Sequence, residues 1–419
     1  MTDTIFALSS GFPPAGIAVV RISGPAAQTA LIQLAGKVPV PRHATLARLS
    51  EAGALLDQAL LIWFPGPNSV TGEDLAELHL HGGRAVVAAV LAALGRIAGF
   101  RPAVAGEFTR RAFENGRIDL AEAEGLADLL AAETEGQRQS ALVLAEGGLG
   151  RKIAELQTLL LRASALVEAD LDFSDEDDVG ETTAYLAAII DVLVTFDLLY
   201  ASPPAERLKD GVRVVLAGPP NSGKSSLFNS LTERNAAIVS EIAGTTRDRI
   251  EAPMMIDGVP LLFIDTAGLR DATDDPIEAI GIARTDEALA TADIILWLGE
   301  AEAAPERALI VAAKADLAGG RKGLPVSVIT GEGIEPLKRE IIARASQLLP
   351  KPGALALNAR HRTILARASA ELSNAQVSTD PLIIAEHLRL ARAQLDAITG
   401  RSGVEDMLDA LFGAFCIGK

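Results

Sequence analysis

A glycine-rich loop at residues 218–225 constrains the fold of this chain more than any other stretch. It reads GPPNSGKS and fits the pattern G-x-x-x-x-G-K-[ST]. An apolar run at residues 212–217, typical of a buried strand, precedes it, and residues 226–231 open a helix. The glycines let backbone N–H groups turn toward phosphates, and the helix N-terminus adds partial positive charge. The sequence therefore predicts a P-loop α/β domain that binds a nucleoside triphosphate.

Two side chains of this loop carry defined chemistry. We expect Lys224 to reach the β- and γ-phosphates and the Ser225 hydroxyl to hold Mg²⁺. The predicted nucleotide contacts of the loop and of the helix start are Asn221, Ser222, Gly223, Lys224, Ser225 and Ser226.

Two later segments indicate a GTPase. Residues 265–268 (DTAG) follow a strand-like run and fit D-x-x-G, in which Asp265 contacts the metal shell and the Gly268 amide senses the γ-phosphate. Between the two motifs, residues 244–248 (GTTRD) offer Thr246 as the switch threonine that completes Mg²⁺ coordination. The predicted contacts here are Gly244, Thr246, Asp265, Thr266, Ala267 and Gly268.

The residue that follows D-x-x-G departs from the common pattern. Leu269 stands where a Ras-type enzyme keeps a water-orienting glutamine, and leucine cannot orient water. Another side chain must act, and the carboxylates that follow are Asp271, Asp274, Asp275 and Glu278. Of these, Glu278 lies at the start of a helical run at residues 277–290, which could hold it still, although a glutamate there could merely complement the helix dipole.

The base-reading segment is also altered. Guanine is read by N-K-x-D, but residues 313–316 are AKAD, so Ala313 replaces the asparagine. Lys314 and Asp316 remain, and we expect Asp316, as a buried carboxylate, to accept from the ring N1–H and the 2-amino group of guanine. A loss of guanine selectivity is the alternative. The short stretch between Trp297 and Ala313 further predicts a trimmed domain without a full crossover helix.

Charge and cysteine content limit the class of protein. With Lys+Arg 38 against Asp+Glu 55, the net charge is −17, which excludes coating of nucleic acid through general electrostatics. Any RNA contact must then be local or shared with a partner. The single Cys416 excludes an internal disulfide and is typical of a reducing, cytoplasmic compartment. We expect no secretory signal and no membrane span, since the apolar runs are too short.

The hydrophobic pattern predicts a multidomain chain. Residues 1–114 mix strand-like runs and turns, as in an α+β domain, whereas residues 115–210 have helical spacing, with runs at 120–132 and 138–169. The P-loop domain covers residues 211–347, and helices resume over 348–419. Two helical parts flanking an inserted α/β domain are expected to pack as one discontinuous helical domain.

The motifs GPPNSGKSSLFNSL, AAIVSEIAGTTRD and DTAGLRD, together with VVRISG, TGEDLAELHLHGG, EFTRRAFENGRIDLAEAEGLADL and a terminal FCIGK, resemble the MnmE (TrmE) family over essentially the whole chain. The resemblance implies a homodimeric GTPase that works with the FAD-binding protein MnmG in a heterotetramer. Together they would place an aminomethyl or carboxymethylaminomethyl group on uridine 34 of certain tRNAs. The one-carbon unit would come from 5-formyl- or 5,10-methylene-tetrahydrofolate.

The resemblance also implies site residues. The N-terminal domain would bind the folate with Arg21, Glu77, Arg117 and Lys419, where the family often has lysine in place of Arg117. Cys416 matches a cysteine tied to the modification reaction, and a small buried apolar residue is the alternative.

In the GTPase domain the resemblance implies a K⁺ site, G-domain dimerisation and a catalytic Glu278. The K⁺ would supply the positive charge that an arginine finger gives elsewhere. Its predicted ligands are Asn221, Ser240, Ile242 and Thr245, and the predicted nucleotide contacts of this loop are Ser240, Glu241, Ile242, Ala243 and Thr245.

A GTP-dependent switch in ribosome assembly, of the Era and Der kind, is the rival interpretation. It predicts a basic RNA-binding appendage, whereas the helical parts here are acidic.

Overall fold

The computed structural model describes residues 3–172, 184–233, 251–266, 286–317, 322–400, 405–413 and 415–419. The chain divides into two compact units. One unit contains Met1–Ala131, Leu144–Tyr185 and Asn374–Lys419, and the other contains Ala132–Val143 and Leu186–Ser373.

A six-stranded sheet with the order β3-β4-β5-β2-β1-β6 organises the first unit, with β6 parallel to β1 and the other pairs antiparallel. The strands are β1 Thr4–Leu8, β2 Ile17–Ser23, β3 Thr45–Glu51, β4 Ala54–Phe64, β5 Leu75–His81 and β6 Phe100–Pro102. Alternation along β2 and β5 buries every second side chain, which is why one face of the sheet forms a core.

Two helices cover that buried face. Helices α1 (Ala27–Ala35) and α2 (Arg84–Gly95) bury their alanine, valine and leucine side chains against the sheet in one apolar core. On the other face, α3 (Glu107–Glu114) places Phe108 against Ile5 and Ala7 of β1. The predicted α+β character of this region is present.

The remaining helices of the first half are α4 Leu120–Ala131, α5 Glu135–Ala145, α6 Gly148–Asp172, α7 Ala184–Tyr200 and α8 Glu206–Lys209. The prediction of one continuous helical run at 138–169 is therefore wrong. The helix ends after α5 and a new one begins with α6, and Gly147 between them has φ +77°. A side chain at 147 would also approach Glu122 Oε1 to 2.7 Å.

Helices that precede and follow the P-loop segment pack together. The C-terminal helices are α11 Ala359–Val377, α12 Pro381–Thr399 and α13 Glu405–Gly413. In the first unit α12 lies along α6, with Gln157 Nε2 donating to Asp396 Oδ1 at 2.6 Å. In the second unit the Tyr200 hydroxyl on α7 donates to the carbonyl of Arg362 on α11 at 2.9 Å.

The second unit is built on another six-stranded sheet, with the order β12-β11-β10-β7-β9-β8, in which β8 alone is antiparallel to its neighbour. The strands are β7 Val212–Ala217, β8 Glu251–Ile256, β9 Val259–Asp265, β10 Ile294–Trp297, β11 Leu309–Ala313 and β12 Leu324–Val326. Helices α9 (Lys224–Glu233) and α10 (Ile334–Leu348) pack on it.

The connection from β10 to β11 is short, as predicted. These strands are parallel, yet only a 3₁₀ turn at Ala301–Ala303 lies between them. Of the helices that the structure describes, none is long and apolar enough to cross a membrane.

Candidate nucleotide site and N-terminal cluster

The predicted nucleotide residues gather at one edge of the second sheet. Parallel strands β7, β9, β11 and β12 all end at this edge, which is where open α/β sheets bind ligands. The P-loop follows β7, Asp265 ends β9 beside Leu216, and Asp316 follows β11. The sheet topology therefore brings together three motifs that are distant in sequence.

The P-loop has the backbone that a phosphate cradle requires. Gly218 has φ +146°, and a Cβ there would lie 3.1 Å from the backbone of Leu298, so only glycine fits. Asn221 and Gly223 also have positive φ, of 57° and 101°. Helix α9 begins at Lys224, so its free N–H groups point into the loop.

Lys224 lies inside this loop, with its side chain almost fully buried. Its Nζ donates to the carbonyls of Gly218 and Pro219 at 3.0 Å each. The buried Ser222 hydroxyl has no hydrogen-bond partner among the described residues. An ammonium held by carbonyls and an unsatisfied hydroxyl are groups that phosphate oxygens can accept from, so the loop fits a nucleotide.

The metal-side residues differ in their environment. Ser225 is exposed at the start of α9 and Asp265 is buried at the end of β9, so an oxygen from each fits a Mg²⁺ shell. Thr266 departs from the expectation, because its buried hydroxyl donates to the carbonyl of Leu216 at 2.7 Å. That hydroxyl is committed to the neighbouring strand rather than to a nucleotide.

The base-reading loop is tied to the P-loop. Lys314, with φ +60°, donates from Nζ to the carbonyl of Asn221 at 2.9 Å. Asp316 is exposed, not buried as expected, because it lies in a 3₁₀ turn after the edge of the sheet. Its carboxylate accepts from the hydroxyl of Ser327 at 2.6 Å, and Ser327 is fully buried.

The sequence interpretation missed Ser327. It follows β12 directly and also accepts the Thr330 N–H at 3.2 Å, so it holds both the turn and Asp316. Its position immediately after a strand at the ligand edge is the signal that could have identified it.

Several predicted residues lie outside the described part of the chain. They are Ser240, Glu241, Ile242, Ala243, Gly244, Thr245, Thr246, Ala267, Gly268, Leu269, Asp271, Asp274, Asp275 and Glu278. Of the four predicted K⁺ ligands only Asn221 is described, and it is exposed.

Two of the four predicted folate residues lie on adjacent strands of the first sheet. Arg21 and Glu77 are register partners on β2 and β5, and they form an ion pair at 2.9 Å. Glu77 also meets His79 Nε2 at 3.3 Å. Arg21 already has a carboxylate partner, because strand pairing places Glu77 directly opposite it.

The other two predicted folate residues are Lys419 and Arg117. Lys419 follows Gly418, whose backbone packs so closely on Leu8 that a Cβ would come 2.1 Å from the Leu8 carbonyl oxygen. Arg117 lies nearer the other end of β2, where its Cγ would be 3.2 Å from a Cβ on Gly72. Arg117 and Lys419 thus adjoin parts of the same compact unit that contains the Arg21–Glu77 ion pair.

Cys416 belongs to the same C-terminal segment. The segment forms a β-bridge between Ala105 and Ile417, and Phe412 of α13 packs on Phe113 with ring centroids 6.2 Å apart. The thiol residue is exposed, which contradicts the alternative of a small buried apolar side chain.

A buried ion cluster supports this unit, and the sequence interpretation did not include it. Arg111, 1% exposed, contacts Asp3, Glu73 and Glu107 at 3.0 to 3.3 Å. Arg101 pairs with Asp3 and Glu107 at 2.5 Å. Burial raises the pKa of Glu107. The hydrogen bonds that its carboxylate accepts from Arg101 and from the Val104 N–H outweigh this effect together, so the pKa of Glu107 lies below its usual value.

A cavity of about 280 Å³ lies among α4, α6 and α12, and its lining includes none of the predicted site residues. Its acidic lining forms a helix cap, in which the Asp119 N–H donates to Glu122 and the Glu122 N–H donates to Asp119. Burial raises the pKa of Glu122. Structural capping accounts for these carboxylates.

Comparison with known proteins matches both ends of the chain to one family. The model of the GTP-binding protein TrmE N-terminus matches residues 4–117, and that of the MnmE helical domain matches residues 120–416. A tRNA modification GTPase MnmE of Rhizorhabdus wittichii is 57% identical over 100% of this chain and 97% of that protein. The protein of the same name from Novosphingobium aromaticivorans is 55% identical over 100% of both chains.

Among solved structures, the FeoB G-domain of Methanococcus jannaschii is 24% identical, with a TM-score of 0.23. The match covers 32% of this chain and 98% of the FeoB domain.

Proposed function

This chain belongs to the MnmE (TrmE) family, and from that membership we propose that it is a GTPase that acts in tRNA modification. The observation that carries the proposal is the meeting of Lys224, Asp265 and the Ser327–Asp316 pair at one sheet edge. Phosphate, metal and base contacts then lie where one nucleotide can reach all three.

Each of these residues has a separate task. Lys224 neutralises charge on the β- and γ-phosphates, and the α9 N-terminus donates backbone N–H groups to them. Ser225 and Asp265 would hold Mg²⁺, which would supply positive charge beside the phosphates. Asp316, oriented by Ser327, accepts from guanine, while Lys314 fixes the base loop to Asn221.

Nucleotide competition tests this assignment. GTP should displace a fluorescent GDP analogue from the purified protein far better than ATP, because adenine has neither the N1–H nor the 2-amino group that would donate to Asp316. Equal competition by the two nucleotides would contradict guanine selection. Lys224→Ala should lose nucleotide binding in the same assay.

For hydrolysis, we infer activation by K⁺ and by G-domain dimerisation, with Glu278 as the residue that orients water. Leu269 cannot take that role, and an ionised glutamate could accept a hydrogen bond from water. Glu278→Ala should lose about two orders of magnitude in turnover with little change in GTP affinity. If Glu278→Ala hydrolyses GTP normally and Asp274→Ala or Asp275→Ala is inactive, the residue that orients water is that aspartate and not Glu278.

The K⁺ requirement has its own test. Replacing K⁺ by Na⁺ should slow turnover, since the smaller ion fits a K⁺ site poorly. Activity indifferent to the cation would point to a protein side chain such as Arg247.

Tetrahydrofolate is the proposed one-carbon donor, bound in the N-terminal unit by Arg21, Glu77, Arg117 and Lys419. The cations suit the glutamate tail of a folate, and Glu77 suits the pterin. Removal of Lys419 should weaken the binding of 5-formyl-tetrahydrofolate in calorimetry and leave GTP binding intact. No folate binding by the intact protein would contradict the site.

With folate bound, the protein would act as a homodimer together with a MnmG-like FAD protein in a heterotetramer. The product would be an aminomethyl or carboxymethylaminomethyl group on uridine 34 of certain tRNAs, with the exposed Cys416 close to the reaction. The closeness of Cys416 to Lys419 in one C-terminal segment supports placing the folate and the thiol in one site.

A further inference from the structure

An exposed aromatic side chain stands on the loop between β1 and β2. Phe12 is 93% exposed, the highest value among the large apolar side chains of the described residues. Single exposed apolar side chains are common on protein surfaces, so the exposure alone decides nothing. Three neighbouring features of Phe12 indicate a binding role: the anchored loop, a nearby cation and the adjoining C-terminal segment.

The loop is anchored at both of its ends. The Ser9 N–H donates to the carbonyl of Val19 at 2.7 Å, and the Ala15 N–H donates to the carbonyl of Gly82 at 3.0 Å. The two residues after Phe12 are prolines, whose rings fix φ. Phe12 is therefore presented to solvent on a preformed loop, which lowers the entropy cost of binding a partner.

A cation from helix α2 contacts the same loop. Arg84, exposed at the first position of α2, donates from Nε to the carbonyl of Pro13 at 3.4 Å. Because the net charge of the chain is −17, the general field does not attract RNA, and an RNA contact needs cations at specific places. An aromatic ring beside an arginine is the combination that binds unstacked bases and their phosphates.

The loop adjoins the segment that carries Cys416. A Cβ on Gly418 would lie 2.1 Å from the Leu8 carbonyl oxygen and 3.0 Å from the Cα of Ser9. Phe12 is three residues further along the chain, so its Cα lies within about 11 Å of the Ser9 Cα. The exposed ring and the exposed thiol residue thus belong to the same end of the sheet.

We propose that Phe12 and Arg84 form a contact for single-stranded RNA, in which Phe12 stacks on a base of the tRNA anticodon loop and Arg84 pairs with a phosphate. This inference rests on the proposed tRNA modification, since it places the bound nucleotide beside Cys416. Anticodon loop bases can be splayed out of the stack, as aromatic recognition requires.

The test uses the full-length protein and a 17-nucleotide anticodon stem-loop with an unmodified wobble uridine, followed by fluorescence anisotropy. Phe12→Ala should weaken binding about tenfold, and Phe12→Trp should retain it. Arg84→Gln should weaken binding and lower the salt dependence by about one counterion. Leu46→Ala, at another exposed apolar residue of the same sheet, is the matched control and should bind as the wild type.

Phe12→Ala should also hydrolyse GTP and bind folate as the wild type does. Unchanged RNA affinity in Phe12→Ala would overturn the proposal while leaving the tRNA assignment in place. If sedimentation gives Phe12→Ala a different oligomeric mass from the wild type, the ring belongs to a protein–protein contact, and this result would also overturn the proposal. If the wild type neither binds the stem-loop nor modifies tRNA, the proposed function falls as well.

Discussion

Removal of the Ser327 hydroxyl should weaken the binding of guanine nucleotides about tenfold. Ser327 is fully buried and donates to Asp316 Oδ1 at 2.6 Å, whereas Asp316 itself is exposed on a 3₁₀ turn. A hydrogen bond to a charged group contributes about 1.5–3 kcal/mol, and solvent around Asp316 favours the lower end. Since about 1.4 kcal/mol is a factor of ten, Ser327→Ala should raise the Kd for GDP about tenfold.

Calorimetry with GDP and IDP measures this effect and its origin. IDP lacks the 2-amino group that Asp316 reads, so Ser327→Ala should narrow the preference for GDP over IDP. Thr330→Ala is the matched control, because it removes an exposed hydroxyl of the same turn without touching Asp316. An unchanged Kd for GDP in Ser327→Ala, or an equal loss in Thr330→Ala, would refute the proposed role of Ser327.

Three further predictions concern stability and the P-loop. Arg111→Ala removes the buried cation that Asp3, Glu73 and Glu107 share, and it should lower the free energy of unfolding by about 3–5 kcal/mol in urea denaturation. Arg110→Ala, at a partly exposed ion pair, should lower it by less than about 1 kcal/mol, and equal losses in the two variants would contradict the role of the cluster. Burial raises the pKa of Asp57, but the hydrogen bonds from His81 outweigh burial, so the pKa of Asp57 is lowered in the folded protein. The ionised Asp57 therefore stabilises the fold above about pH 4, and this stabilisation is lost as the pH falls through the lowered pKa. The gap in urea midpoint between the wild type and Asp57→Asn should therefore be present at pH 7 and shrink at pH 3, and a constant gap would argue against it. Gly218→Ala should lose GDP binding, because its φ of +146° and the Leu298 backbone at 3.1 Å exclude a side chain, and wild-type affinity would show that the loop adapts.

Local patterns predicted much of the fold because they follow from periodicity. The run at 212–217 is the strand β7, and the short stretch after Trp297 lacks a crossover helix, as its length requires. The break between α5 and α6 was missed because glycine is tolerated inside many helical patterns. The left-handed φ of +77° at Gly147, which ends the helical run, is visible only in the structure.

The sequence predicted the site residues that belong to a known nucleotide-binding motif. It did not predict features that depend on how distant strands and turns come together. Lys224 and Asp265 lie where their motifs predict. The ion pair of Arg21 with Glu77 depends on strand register, and the exposure of Asp316 depends on where a turn leaves the sheet. The Arg111 cluster joins residues more than one hundred positions apart, so no local pattern could indicate it.

Mass spectrometry of tRNA nucleosides tests the proposed function most directly. The protein would be incubated with a MnmG-like FAD protein, GTP, K⁺, Mg²⁺, a tetrahydrofolate donor, a free amine for the aminomethyl group and unmodified tRNA, with Lys224→Ala as the matched control. The proposed function predicts a modified uridine at position 34 with the wild type and its loss with Lys224→Ala. Equal modification by the two proteins, or GTP hydrolysis by the wild type without any change at uridine 34, would contradict it.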